Sequence, residues 1–243
     1  MMRPGFQTAI SVVFPPRCVG CGGMVESDFA LCGACWGQTP FIVGLVCDAC
    51  GVPLPGVSDG VAVQCDDCLK TPRPWTAGRA ALLYRDLGRR MVLALKHGGR
   101  AEIALASAAW MQRAGADLFD KDMLIAPVPL HWTRLFHRTF NQSALLAHAL
   151  ADRTGHATCP DLLLRGRKTQ PLDHKTVVER FDVLENAIKV HPRRRKQLAD
   201  RPVLLIDDVM TSGATLTAAT HACLAAGSGP VFTLTLARVA KDT

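Results

Sequence analysis

At 243 residues, 49% hydrophobic and 20% charged, the chain has a globular composition and can bury a substantial core in one large domain or two smaller ones. Its formal charge of +7 points toward acidic or nucleic-acid partners. No apolar run reaches the ~18–20 residues of a membrane span; the apolar patch in residues 6–16 is broken by Ser11, closed by Pro15 and Pro16, and lacks a small-residue cleavage pattern, so the expectation is a cytoplasmic protein without a signal peptide.

Eight of the ten cysteines stand in four C-x-x-C pairs: Cys18/Cys21, Cys32/Cys35, Cys47/Cys50 and Cys65/Cys68. In a cytosolic chain such pairs point to metal before disulfides. A two-residue gap turns both sulfurs toward one ion, and two such turns complete a tetrahedron around zinc. Taken in order, Cys18, Cys21, Cys32 and Cys35 form one site, and Cys47, Cys50, Cys65 and Cys68 form a second; an interleaved arrangement remains open. All four positions in each site are sulfur, which leaves none for water and makes the two zinc ions structural. Counted as thiolates with their metals, these sites lower the net charge to about +3, so charge alone argues only weakly for nucleic acid. A redox role fits poorly, because no thioredoxin-like βαβ pattern surrounds the pairs. Residues 1–74, rich in Gly, Pro and Cys, should depend on their metals to fold. Residues 73–75 read as the hinge into the second part, residues 75–243. Cys159 and Cys223 have no paired spacing and read as small buried residues.

Beyond the hinge, residues 80–84 read as a strand and residues 87–97 as a helix ending at Gly98-Gly99. Lys96, just before the glycines, either faces an anion or complements the helix C-terminus. An Ala-rich helix follows over 101–116, then a short apolar strand over 123–128. Arg134 and Arg138, four apart after that strand, can make paired charge-assisted bonds to a phosphate or pyrophosphate, with a solvated basic turn as the alternative. A helix is expected over 143–153. Four consecutive cations, Arg193 to Lys196, suit a phosphate backbone, single-stranded DNA included, but no aromatic residue lies among them to stack a base.

Residues 203–216, VLLIDDVMTSGATL, carry the densest chemistry. Val203 to Ile206 read as a buried strand, Asp207 and Asp208 as carboxylates at its end, and the turn as the opening of a helix that continues to Ala226. Carboxylates in that place can accept hydrogen bonds from sugar hydroxyls, while the unpaired N–H groups of the turn and the helix dipole favour a phosphate. Gly213 lets backbone approach the phosphate, and the hydroxyls of Thr211, Ser212 and Thr215 add donors. Residues 231–239 read as the last strand. The alternation from residue 123 onward argues for an α/β fold with a mainly parallel sheet.

This stretch resembles the phosphoribosyl-pyrophosphate (PRPP) motif of type I phosphoribosyltransferases. The resemblance implies that Asp207 and Asp208 hold the ribose hydroxyls and that Thr211, Ser212, Gly213, Ala214 and Thr215 cradle the 5′-phosphate. Four cysteine knuckles, V-P-L with R-x-x-x-R-x-F-N-Q, and this motif together resemble the ComF family, phosphoribosyltransferase-like proteins associated with competence and DNA uptake, including its double-zinc-ribbon members. The likeness runs from Phe14 to Arg238. It implies a type I phosphoribosyltransferase-like fold, a mainly parallel sheet flanked by helices and preceded by a small Cys-rich zinc-ribbon module. The implied ligand is PRPP with magnesium. The implied chemistry is glycosyltransferase (pentosyl) transfer to an acceptor that has no signature here, with Asp207, Asp208, Arg134 and Arg138 as catalytic residues, the arginines and magnesium stabilising departing pyrophosphate. Two further readings stay open: a non-catalytic nucleotide- and single-stranded-DNA-binding protein of DNA uptake, and a PRPP-sensing regulator. The family's mobile loop would fall in 162–188, with Thr169, Gln170 and Arg180 as candidates. Thr139 stands where the family usually has glycine, which would strain the turn if that position requires positive φ.

Overall fold

The structure is a computed structural model describing residues 15–97, 99–130, 140–166 and 187–240. Arg134, Arg138 and Thr139, the Thr169, Gln170 and Arg180 set, and residues 6–14 lie outside them.

Val203, Leu204, Leu205 and Ile206 are each 0% exposed, the burial expected of a parallel strand covered on both faces. Seven strands are described: β1 (Ala77–Leu83), β2 (Leu124–Pro127), β3 (Ala157–Thr158), β4 (Leu163–Arg165), β5 (Ile188–Val190), β6 (Val203–Met210) and β7 (Val231–Arg238). Five form one sheet in the order β1-β7-β6-β2-β3, and every pairing in it is parallel. β4 and β5 make a separate antiparallel pair.

The main sheet departs from expectation at two strand ends. β6 does not stop at Ile206 but carries both acids within it, because β7 keeps pairing past them: Asp207 with Thr235, Val209 with Ala237 and Met210 with Arg238. β1 starts at Ala77, ahead of the apolar run, because Ala77, Gly78 and Arg79 find register partners in Phe232, Thr233 and Leu234.

Alternation along β6 sends side chains to two separate cores. Leu204 and Ile206 join Ile125 and the apolar sides of α3 (Asp86–His97), α4 (Glu102–Ala114) and α5 (Gln142–Thr154). Val203 and Leu205 join Leu124, Ala126 and the inward residues Leu216, Ala219 and Cys223 of α6 (Ala214–Ala225). Asn141 starts α5, its Oδ1 accepting the Ser143 N–H at 3.1 Å, and Gly155 ends it at φ +75°. Cys159 and Cys223 are buried small residues, 3% and 0% exposed. The cations 193–196 do not form an open loop: Pro192–Gln197 is a 3-10 helix whose first free N–H, from Arg193, is taken by His191 Nδ1. No helix among the described residues is long and apolar enough to cross a membrane.

The cysteine-rich stretch contributes two short helices, α1 (Gly33–Gln38) and α2 (Asp66–Lys70), and otherwise irregular backbone. It lies along the free edge of β1. Ile42 N–H donates to Ala81 O, Leu83 N–H to Pro40 O and Gly78 N–H to Asp48 O, at 2.8–3.0 Å. An edge strand with unpaired backbone groups is a template for aggregation, and these bonds cover it. Approach is close enough to require glycine at Gly51, where φ is +68° and a Cβ would stand 2.6 Å from Ala80 N. Arg79 clamps the contact through Asp48 at 2.7 Å and is itself held by Asp117 at 2.6 Å. The expected hinge is packed: Trp75 is 4% exposed and donates its indole N–H to Ala49 O.

Trp75→Ala should therefore destabilise the whole chain by about 3–5 kcal/mol, the usual cost of emptying a buried tryptophan site. Urea denaturation followed by circular dichroism measures it; a loss under about 1 kcal/mol would mean that the junction bears little load.

Candidate functional site

Asp207 and Asp208 sit near the carboxyl end of β6, where the open crevice of a parallel sheet forms. Asp207 Oδ1 accepts from Ser143 Oγ at 2.9 Å and from the Asp208 N–H at 2.8 Å. Asp208 is 8% exposed and pairs with Lys96 Nζ at 3.1 Å. Burial, and then the neighbouring charge of Asp208, push Asp207 up to about 7 against the pull of its two donors. Lys96 thus faces an anion, and the anion is the Asp208 carboxylate. Its place at the last turn of α3 was visible in the sequence; its partner was not. Ser143 was also missed as a site residue. The signal for it is slight: a hydroxyl at the second position of a helix opened by Asn141.

Beyond Met210 the chain turns through 211–213 into α6, with Gly213 as N-cap at φ +84°. A Cβ there would come within 2.8 Å of Met210 Cε, 3.2 Å of Arg73 Nη1 and 3.2 Å of Trp75 Cη2, so glycine is required by conformation and by space. Thr217 N–H is already taken by Gly213 O, and Ala214 N–H has only a long bond of 3.4 Å to Ser212 Oγ. Oriented N–H groups beside a positive-φ residue, at the positive end of a three-turn helix, make a concavity suited to an anion.

Behind this turn stand two arginines that the sequence did not single out. Arg73 Nη1 donates to Ser212 O at 2.8 Å, its Nε donates to Cys68 Sγ at 3.4 Å, and the guanidinium lies 5.8 Å from the Trp75 ring centroid. Arg238, 5% exposed at the end of β7, donates from Nη1 to Thr211 O at 2.8 Å and to Met210 O at 3.2 Å; its Nη2 lies 3.9 Å from Cys50 Sγ.

The cysteines gather in sequence order. Cys18, Cys21, Cys32 and Cys35 hold their sulfurs within 4.8 Å of one another, and Cys47, Cys50, Cys65 and Cys68 do the same. Cys21 and Cys32 sulfurs are 3.8 Å apart, Cys50 and Cys65 sulfurs 3.7 Å, against about 3.8 Å for the edge of a tetrahedron with zinc–sulfur bonds near 2.3 Å. Both sets fit zinc. Each is built into a different core: Cys18 and Cys35 into that of α3 to α5, and Cys47, Cys50 and Cys68 into that of α6.

Of the four cations at 193–196, Arg194 is engaged on both oxygens of Asp161 at 2.9–3.0 Å, and those hydrogen bonds, with its charge, hold that carboxyl below the usual carboxylate range. Arg193, Arg195 and Lys196 are exposed.

A model of the double zinc ribbon domain matches residues 9–69. The DNA utilization protein YhgH of Salmonella typhimurium is 29% identical over 218 residues, 87% of this chain and 92% of that protein. Competence protein ComFC of Bacillus subtilis is 28% identical over 227 residues, covering 88% and 87%. Competence protein F of Haemophilus influenzae is 26% identical over 206 residues, covering 82% and 87%. The chain thus carries a double zinc ribbon and is similar over most of its length to competence and DNA utilization proteins. Among solved structures, one described as the allosteric regulatory enzyme of purine biosynthesis aligns at a TM-score of 0.39 and 13% identity, over 59% of this chain and 30% of that chain.

The chain has a mainly parallel sheet flanked by helices and a Cys-rich zinc-ribbon module at 18–68, the expected fold class. Among the described site residues, the sheet and α6 bring Asp207, Asp208 and the turn 211–215 together, with Ser143 and Lys96 beside them.

Proposed function

We propose that this chain binds PRPP, or a nucleotide carrying ribose 5-phosphate, with the phosphate on residues 211–215 and the ribose hydroxyls on Asp207 and Asp208. The observation that supports it most is the juxtaposition of two carboxylates on β6 with a positive-φ turn that opens α6. Acids accept the hydroxyls' protons in hydrogen bonds, the turn donates to phosphate oxygens, and the two demands fall on adjacent segments. Ser143 fixes the orientation of Asp207, and Lys96 balances Asp208 while the site is free. The donor set is all oxygen, which suits a hard cation; Asp207 and Asp208 are the residues that would stand nearest magnesium carried in on the ligand's phosphates.

The reaction class that follows is phosphoribosyl transfer. The bond from ribose C1 to pyrophosphate breaks, a nucleophilic nitrogen bonds to C1, and charge accumulates on the leaving group. Arg134 and Arg138 are the candidates to meet that charge. The names of the relatives, competence and DNA utilization, support a place for the protein in handling incoming DNA.

The deciding experiment follows pyrophosphate release from PRPP with magnesium, against a panel of nitrogenous bases, with and without single-stranded DNA. Release that depends on one acceptor is the expected result. Saturable PRPP binding in calorimetry without release would leave a nucleotide-binding protein rather than an enzyme, and absence of binding would overturn the proposal altogether.

A further inference from the structure

In a trans peptide the C=O of one residue and the N–H of the next point in opposite directions, so whatever holds a carbonyl also aims the following amide. Arg73 holds Ser212 O and Arg238 holds Thr211 O, both from the side facing the protein. The N–H groups of Gly213 and Ser212 are therefore directed the other way, outward, as an anion site requires. Neither arginine is free to move. Arg73 donates its Nε to Cys68 Sγ, and Nη2 of Arg238 is set against Cys50 Sγ. These two cysteines come from the two different knuckles of the second cluster.

We propose that Arg73 and Arg238 are positioning residues that tie the second zinc site to the turn at 211–213, so that metal at Cys47, Cys50, Cys65 and Cys68 and a sugar phosphate on the turn stabilise each other. The inference rests on the ligand reading above. Each guanidinium bridges a sulfur whose place and charge depend on the metal and a carbonyl whose direction decides where an amide points. Outer groups that donate to metal-bound sulfur are part of what fixes a metal site. A side chain shared between two sites couples them, and coupling of binding is reciprocal. The first cluster lies in the other core, and among the described residues no hydrogen bond joins its cysteines to residues 210–213, so it serves as an internal control.

The test uses the zinc-loaded full chain and an excess of a chromogenic chelator, with ribose 5-phosphate as the probe at a concentration that calorimetry shows to be saturating. Two release phases are expected. Ribose 5-phosphate should slow one of them by about five-fold or more, in the usual range of coupling between sites, and leave the other unchanged. Arg73→Gln should abolish the slowing and weaken ribose 5-phosphate binding while both zinc ions remain bound at the start. Binding of ribose 5-phosphate to the unaltered protein with no change in either phase overturns the coupling alone. Slowing of both phases equally indicates general stabilisation and also overturns it. No binding of ribose 5-phosphate removes the ligand reading and the coupling with it. The comparison in the unaltered protein needs no variant to fold.

Discussion

Asp207→Asn should make the ligand-free protein more stable and its sugar-phosphate binding weaker. The Asp207 carboxyl is raised from its ordinary 3.8 to about 7. Between those values the folded protein keeps a proton that the unfolded chain has lost, so stability falls as pH rises through that window. The loss by pH 8 is at most about 4 kcal/mol, three units at roughly 1.4 kcal/mol each. Asparagine retains an Oδ1 that can accept from Ser143 and from the Asp208 N–H, so the substitution removes the charge without orphaning the two donors. In urea titrations the variant should gain stability at pH 8, and the difference should fade toward pH 4. Binding of PRPP with magnesium should weaken by roughly 10–100-fold, the size of a lost charge-assisted hydrogen bond. Equal pH slopes in the two proteins would mean that Asp207 ionises normally, and equal affinities would take it out of the site.

Removing a metal should have the larger effect on stability. Metal analysis of the purified protein should give two zinc ions per chain, and Cys50→Ser should retain only the first. Cys50 is 1% exposed within the core of α6, so an empty second cluster cannot be confined to a peripheral loop. Zinc contributes about 10–16 kcal/mol to the folding of small finger modules, comparable with the whole stability of a domain. A fall in Tm of at least about 10 °C is expected for Cys50→Ser, read by calorimetry or circular dichroism. A stable variant with one zinc would mean that the second site is dispensable to the sheet; an unaltered protein with fewer than two would overturn the pairing of cysteines by sequence order.

Local features were readable where the chemistry is local. Four C-x-x-C turns declare two metal sites because each pair sits in one tight turn, while which turns share an ion is fixed by the fold, which gathers them in sequence order. The run from Val203 to Ile206 declares a central strand because both faces demand apolar side chains, and Gly213 declares a turn that only glycine can make. What escaped reading is held across distance. The extension of β6 through Asp207 and Asp208 is owed to Thr235, Ala237 and Arg238 on β7, and no propensity of the acids themselves announces it. Ser143, Lys96, Arg73 and Arg238 reach the site from four other places in the chain. Arg73 looked like part of a hinge and Arg238 like the end of a strand, since nothing beside either of them indicates a sulfur on one side and a carbonyl on the other. In the basic run at 193–196, Asp161, 33 residues from Arg194, occupies one of the four cations, a pairing that no local pattern announces, while Arg193, Arg195 and Lys196 stay exposed.

The strand order has a consequence for how the chain assembles as it is made. β1 lies beside β7, with Ala77 opposite Phe232, a separation of about 155 residues. The cysteine-rich stretch emerges early and can take up its metals at once, and it then lies along β1, but β1 has no neighbour within the sheet until β7 has been synthesised. β6, β2 and β3 can pair before that. Within the sheet, β1 and the three-stranded remainder therefore stay unjoined until the final strand has been made. Arg238 arrives on that strand, so the turn at 211–213 acquires its second support only at the step that closes the sheet.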